Sequence, residues 1–199
     1  MKKIIIVGAV LLAFVFPIDL KIGVWDPSEK SPFFIDEKDG PDPYKNYRLN
    51  FKRITGFEYS GLHWNQGVVV YINKHVDAYW ENYKLYIEQL EEEDRSRKFN
   101  FKKYPVGTVL VKENFNLGKG TQKVPISAQT ATVMVKREVG YDKEGNDWEY
   151  VRFNTKGKVL LDGNSKDPAV KRSCYDCHRN VEARDYVFST FYKNPVKAE

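Results

Sequence analysis

Two cysteines three positions apart with a histidine directly behind the second, Cys174-Tyr175-Asp176-Cys177-His178, are the residues of this chain best suited to chemistry. The spacing fits attachment of haem c: two thiols add to the two vinyl groups of one porphyrin, and the adjacent imidazole reaches the iron as proximal ligand. Both cysteines of the chain are used, so none remains for a disulfide-dense scaffold. Two other chemistries share part of the pattern. A thioredoxin-type redox pair calls for a preceding strand and a long following helix, yet only 21 residues follow His178 and nothing directly before Cys174 reads as a strand. A structural zinc site calls for four protein ligands, and the chain has no second Cys/His pair. The expected cofactor is one covalent haem c, on Cys174, Cys177 and His178.

What such a haem does depends on its sixth iron position: a strong second ligand makes an electron carrier, an open face lets small molecules bind and react. Met134, His63, His75 and Lys112 are the candidates for that side. Met134 lies in a predicted strand, where methionines mostly pack, and His75 opens an amphipathic helix as a surface or capping residue. His63, in Gly61-Leu62-His63-Trp64, stays open. Lys112 ends Gly107-Thr108-Val109-Leu110-Val111-Lys112, directly before Glu113. Alternation sets Lys112 beside Leu110 and Thr108, and Glu113 beside Val109 and Val111, so one charge faces inward or sits at a strand end. Alternation alone favours an exposed strand-end lysine over a buried amine of lowered pKa.

The elements that must position these residues fit one domain with an appendage in 199 residues. A hydrophobic fraction of 42% and an aromatic fraction of 15% exclude a wholly disordered chain. No apolar run reaches the roughly 18 residues of a comfortable membrane span, which excludes a polytopic membrane protein. The net charge of +5, with 27 acids interspersed, leaves no basic stripe and no nucleic-acid partner. Lys2 and Lys3 before the apolar run Ile4 to Phe16 make a secretory signal, and export to the periplasm is expected. Pro17-Ile18-Asp19-Leu20-Lys21 offers no clear cleavage site, so removal of the segment and its retention as an anchor both stay open. Residues 1–20 are read as signal or anchor. Residues 21–44, with Pro27, Pro32, Pro41 and Pro43, are read as a linker or arm, and 45–199 as the haem-binding domain.

Within that domain, Gly67 to Ile72 reads as a buried strand. Val76, Tyr79, Trp80, Tyr83, Ile87 and Leu90 form one apolar stripe on a helix from Val76 to about Glu93. Its charged end, Glu91 to Lys98, is solvated. Strand periods recur over Gly107 to Glu113, Gln129 to Glu138 and Trp148 to Phe153, the last two joined as a hairpin by the turn-rich Gly140 to Asp147. In the loop Asn116 to Ser127, Gly118-Lys119-Gly120-Thr121 is not a phosphate loop, because Glu113 and Gly120 stand where glycine and Ser/Thr are needed.

The order of Gly107 to Glu113, Gly140-Tyr141-Asp142, Asp147-Trp148-Glu149-Tyr150, Cys174 to His178 and Asp185-Tyr186-Val187-Phe188 resembles the cytochrome P-460 family over about residues 45 to 193. The resemblance implies an α+β fold, mainly antiparallel β-sheet with flanking helices, in a homodimer with one haem c open on its distal side. It also implies that Lys112, at the family's strand lysine, bonds to the porphyrin edge, which takes an uncharged amine in a desolvated setting. Linked members oxidise hydroxylamine through an iron-nitrosyl toward nitrous oxide, which here implies a soluble c-type cytochrome as electron acceptor. Relatives called cytochrome c′-beta lack the link and bind nitric oxide or carbon monoxide without turnover. Family enzymes use a distal carboxylate for proton transfer, which the sequence does not locate; Glu113 points the other way. A simple electron carrier capped by Met134 or His63 is the third reading.

Overall fold

The structure is a computed structural model that describes residues 44–63, 65–94, 96–118 and 125–188. The signal or anchor of residues 1–20, the arm up to residue 43, and residues 119–121 of the glycine-containing loop lie outside the described residues.

The described residues form a seven-stranded antiparallel sheet. Strands β1 (Lys52–Arg53) and β2 (Glu58–Ser60) both pair with one edge of β3 (Gln66–Ile72). From β3 the order runs through β4 (Val109–Leu117), β5 (Pro125–Lys136) and β6 (Trp148–Asn154) to β7 (Val159–Gly163). Every residue of β3 is buried, as expected of a β-branched run covered on both faces. The hairpin of β5 and β6 forms with Met134 opposite Tyr150 and Thr132 opposite Arg152. Its connection folds on Asp147, whose carboxylate accepts from the N–H groups of Gly140 and Asp142 at 3.0 and 2.9 Å.

Alternation divides the buried residues between two cores. One face carries Val70, Ile72, Leu110, Met134 and Tyr150, covered by helix α2 (Val76–Glu91) and the C-terminal helical segment. The other carries Val69, Val111, Ala131, Val133 and Phe153, covered by Tyr44 and by Tyr47 of the short helix α1 (Tyr47–Asn50).

The C-terminal segment begins at α3 (Pro168–Val170), where the Asp167 carboxylate accepts from the N–H groups of Ala169 and Val170 and proline occupies the first turn. The path continues as a wider π-type turn (Lys171–Tyr175), a single α turn, α4 (Asp176–His178), and a 3₁₀ stretch (Arg179–Arg184). It stops at Asp185 and Tyr186, whose φ values of 54° and 64° are left-handed.

Several boundaries differ from the sequence reading. Strand β4 runs on to Leu117 and β5 starts at Pro125, so the predicted loop from Asn116 is shorter, because Asn114 and Phe115 pair with both β3 and β5. Helix α2 ends at Glu91, and its buried face is Ala78, Tyr79 and Asn82, while Trp80 and Leu90 are 41% and 38% exposed. Asn82 accounts for the rotation: its Nδ2 donates to the Lys102 carbonyl at 2.9 Å and its Oδ1 accepts from the Lys102 N–H at 2.7 Å. A buried amide with both bonds made outweighs a partly exposed ring.

Candidate functional site

The two thiols, the histidine behind them and the strand lysine meet at one cavity. Cys174, Cys177 and His178 border it from the helical segment and Lys112 from the middle of β4. The register Val70, Lys112, Thr132, Arg152 runs straight across β3, β4, β5 and β6, and all four side chains line the same cavity. Lys112 is half-buried there, not exposed at a strand end as alternation alone favoured. The strand continues beyond it, so the position is central. Glu113 does lie on the opposite face, 1% exposed, accepting from Tyr47 and, at 3.4 Å, from Tyr71, and paired with Arg48. Both neighbouring charges thus face inward, into different cores.

Cys174 and Cys177 are free thiols. Burial pushes the Cys174 thiol up, against the pull of the Lys112 amine. His178 is aimed by three contacts. Its Nδ1 donates to the Tyr186 carbonyl at 2.7 Å, and its ring meets Tyr150 edge-on at 5.5 Å and Phe188 at 5.3 Å. With Nδ1 holding the proton, Nε2 keeps the lone pair that binds a metal. Burial lowers the His178 imidazole to about 4 and the Lys112 amine to about 7, so an uncharged fraction of the amine exists at neutral pH.

The cavity wall is divided in character. Val70, Leu110, Met134, Val187 and Phe188 with the rings of Tyr79 and Tyr150 make it apolar, while His63, Gln66, Asn114, Thr130 and Thr132 add hydrogen-bonding groups. His63 Nδ1 lies 2.7 Å from Ser60 Oγ, and burial, with Lys112 and His178 nearby, lowers its imidazole to about 2. Among the described residues that line the cavity there is no Asp or Glu. Of the other residues weighed for the sixth position, Met134 lines the cavity and belongs to the core, 9% exposed. His75 precedes the first turn of α2 with φ 59° and is not among the lining residues.

These residues fit a haem. The buried Nε of Arg152 and hydroxyl of Tyr150, both on the cavity wall, have no hydrogen-bond partner among the described residues, which suits a wall built against a further group. The wall otherwise offers an apolar surface, two free thiols and one imidazole with its metal-binding nitrogen unprotonated, the donor set that haem c requires. The sequence reading missed Arg152, Tyr150 and the Thr130/Thr132 pair. Their shared parity along β5 and β6 was readable, but their register with Lys112 was not.

Comparison with curated proteins finds no match. The family model for cytochrome P460 matches residues 62–189, a span that holds Lys112, the haem motif and most of the cavity wall. The chain belongs to the cytochrome P460 family, whose members are haem proteins.

Proposed function

We propose that this protein is a periplasmic mono-haem c oxidoreductase that oxidises hydroxylamine toward nitrous oxide, with Lys112 bonded to the porphyrin edge. The observation that carries the reading is the convergence of Lys112, Cys174, Cys177 and His178 on one cavity. Bound there, the haem supplies a one-electron acceptor with a coordination position for a small nitrogen ligand. Cys174 and Cys177 hold the porphyrin and His178 holds the iron. Central placement in β4 fixes Lys112 against the same cavity, and burial supplies the uncharged amine for a carbon–nitrogen bond that would replace one amine N–H and one porphyrin C–H, two protons passing to water and two electrons to an external oxidant. His63, held by Ser60, and Gln66 offer hydrogen bonds to a small polar substrate, while Val70, Leu110 and Met134 keep bulk water away. Two hydroxylamine molecules yield one nitrous oxide, one water, four protons and four electrons, the electrons passing to a soluble c-type cytochrome. Lys2, Lys3 and the apolar run behind them support export; a homodimer is the state the family resemblance supports.

A second reading, a nitric oxide-binding protein without turnover, is favoured by the absence of a carboxylate among the described cavity-lining residues. The absorption spectrum of the haem-loaded protein and of Lys112→Leu tests both. Enzyme function predicts a Soret band far to the red of ordinary haem c and hydroxylamine-dependent reduction of an added one-electron acceptor, both lost in Lys112→Leu. An ordinary five-coordinate spectrum unchanged by the substitution, with tight nitric oxide binding and no turnover, establishes the second reading instead.

A further inference from the structure

The Nδ1 bond of His178 ends on an unusual piece of backbone. Its acceptor, the Tyr186 carbonyl, belongs to a corner in which Asp185 and Tyr186 both adopt left-handed φ, 54° and 64°. For non-glycine residues such a conformation persists only where the surroundings over-determine it. Here they do. The Asp185 carboxylate accepts from Lys136 Nζ at 2.8 and 2.9 Å, from the Tyr104 N–H at 2.6 Å, and from Asn146 Nδ2. Trp148 Nε1 donates to the Asp185 carbonyl at 2.8 Å. The Tyr186 N–H and hydroxyl donate to the carbonyls of Val181 and Glu144 at 3.1 and 2.8 Å. Four separate stretches of chain thus hold two residues in place.

The Lys136 and Asp185 side chains are 7% and 1% exposed. An ion pair so deeply buried is a poor source of stability, since desolvation offsets most of the Coulomb attraction. What it supplies is geometry. We propose that the Lys136–Asp185 pair is a positioning device for His178, fixing the Asp185–Tyr186 corner and with it the carbonyl that accepts from Nδ1. It thereby sets how strongly the imidazole donates to iron. The inference rests on the reading of His178 as proximal ligand. A firmly bonded Nδ1–H makes the histidine a more basic ligand and stabilises ferric iron; a loosened bond weakens the iron–nitrogen link and raises the reduction potential.

The test compares haem-loaded wild type with the double variant Lys136→Met/Asp185→Asn, which removes both charges together so that neither is left buried alone. Val111→Ala, in the core on the other face of the sheet, controls for general loss of stability. The expected result is an iron–histidine stretching band at lower frequency and a higher reduction potential in the double variant, with the control unchanged. A folded, haem-bearing double variant with wild-type band and potential overturns the inference, as does an equal shift in the control. If the double variant takes up no haem, Trp148→Phe decides by removing one donor to the corner: a smaller shift in the same direction supports the inference and no shift overturns it. Wild type that stays colourless when expressed with a cytochrome assembly apparatus overturns the haem reading itself, and this inference with it.

Discussion

Lys112 and Glu113 are adjacent in sequence and opposite in environment. Strand alternation sends the lysine to the cavity face and the glutamate to the Tyr47, Arg48 and Tyr71 cluster. Glu113 keeps a cationic partner in Arg48, whereas burial lowers the Lys112 amine to about 7 against the opposing pull of the Cys174 and Cys177 thiols. At the same scale, the proposed function has Cys174 and Cys177 each supply one thioether, so attachment is tested by removing both. Cys174→Ser/Cys177→Ser should release all pigment into acidified organic solvent, whereas wild type keeps its colour in the denatured protein. Pigment retained by the variant would place the attachment elsewhere.

At the scale of elements, the helical segment that bears the thiols is built from short pieces that each need a fixed end. Asp167 caps its start through two backbone N–H groups, Pro168 sets the first turn, and the π-type turn at Lys171–Tyr175 widens the helix where Cys174 meets the cavity. Asp167→Ala is expected to cost about 1 kcal/mol of stability, as lost N-caps do. Urea denaturation would record that cost as a lower midpoint with unchanged slope. Asp167-Pro168 is a start signal that can be read from the chain alone. The π-type turn is not, because it reflects the fit of the helix to the sheet rather than local propensity.

In the whole molecule, one sheet separates two buried clusters, and the cavity wall draws mainly on one of them, with Val133 and Val151 contributed by the other. Damage to that second cluster at a residue away from the cavity wall should therefore change stability without changing the site. Phe153 is fully buried on the far side. Phe153→Ala is expected to lose about 3 to 5 kcal/mol, the usual cost of deleting a buried ring. Denaturant titration measures the loss, and the absorption spectrum of the folded, haem-loaded variant should match wild type. A shifted spectrum would show that the two cores are mechanically coupled through β6.

The sequence by itself determined the Cys174-to-His178 spacing, the buried strand β3, the β5–β6 hairpin and the opposite facing of Lys112 and Glu113. Each depends on spacing or parity within a few residues, which local stereochemistry enforces. It also carried the family resemblance, since the matched pieces keep their order along the chain. Only the tertiary structure decided that Lys112 is central rather than terminal, because pairing of β4 with β3 and β5 extends the strand past the point where its own pattern fades. The rotation of α2 about Asn82, the row from Val70 to Arg152, and the Asp185–Tyr186 corner behind His178 were likewise invisible. They arise from hydrogen bonds between segments far apart in sequence, and no local preference of either partner encodes them.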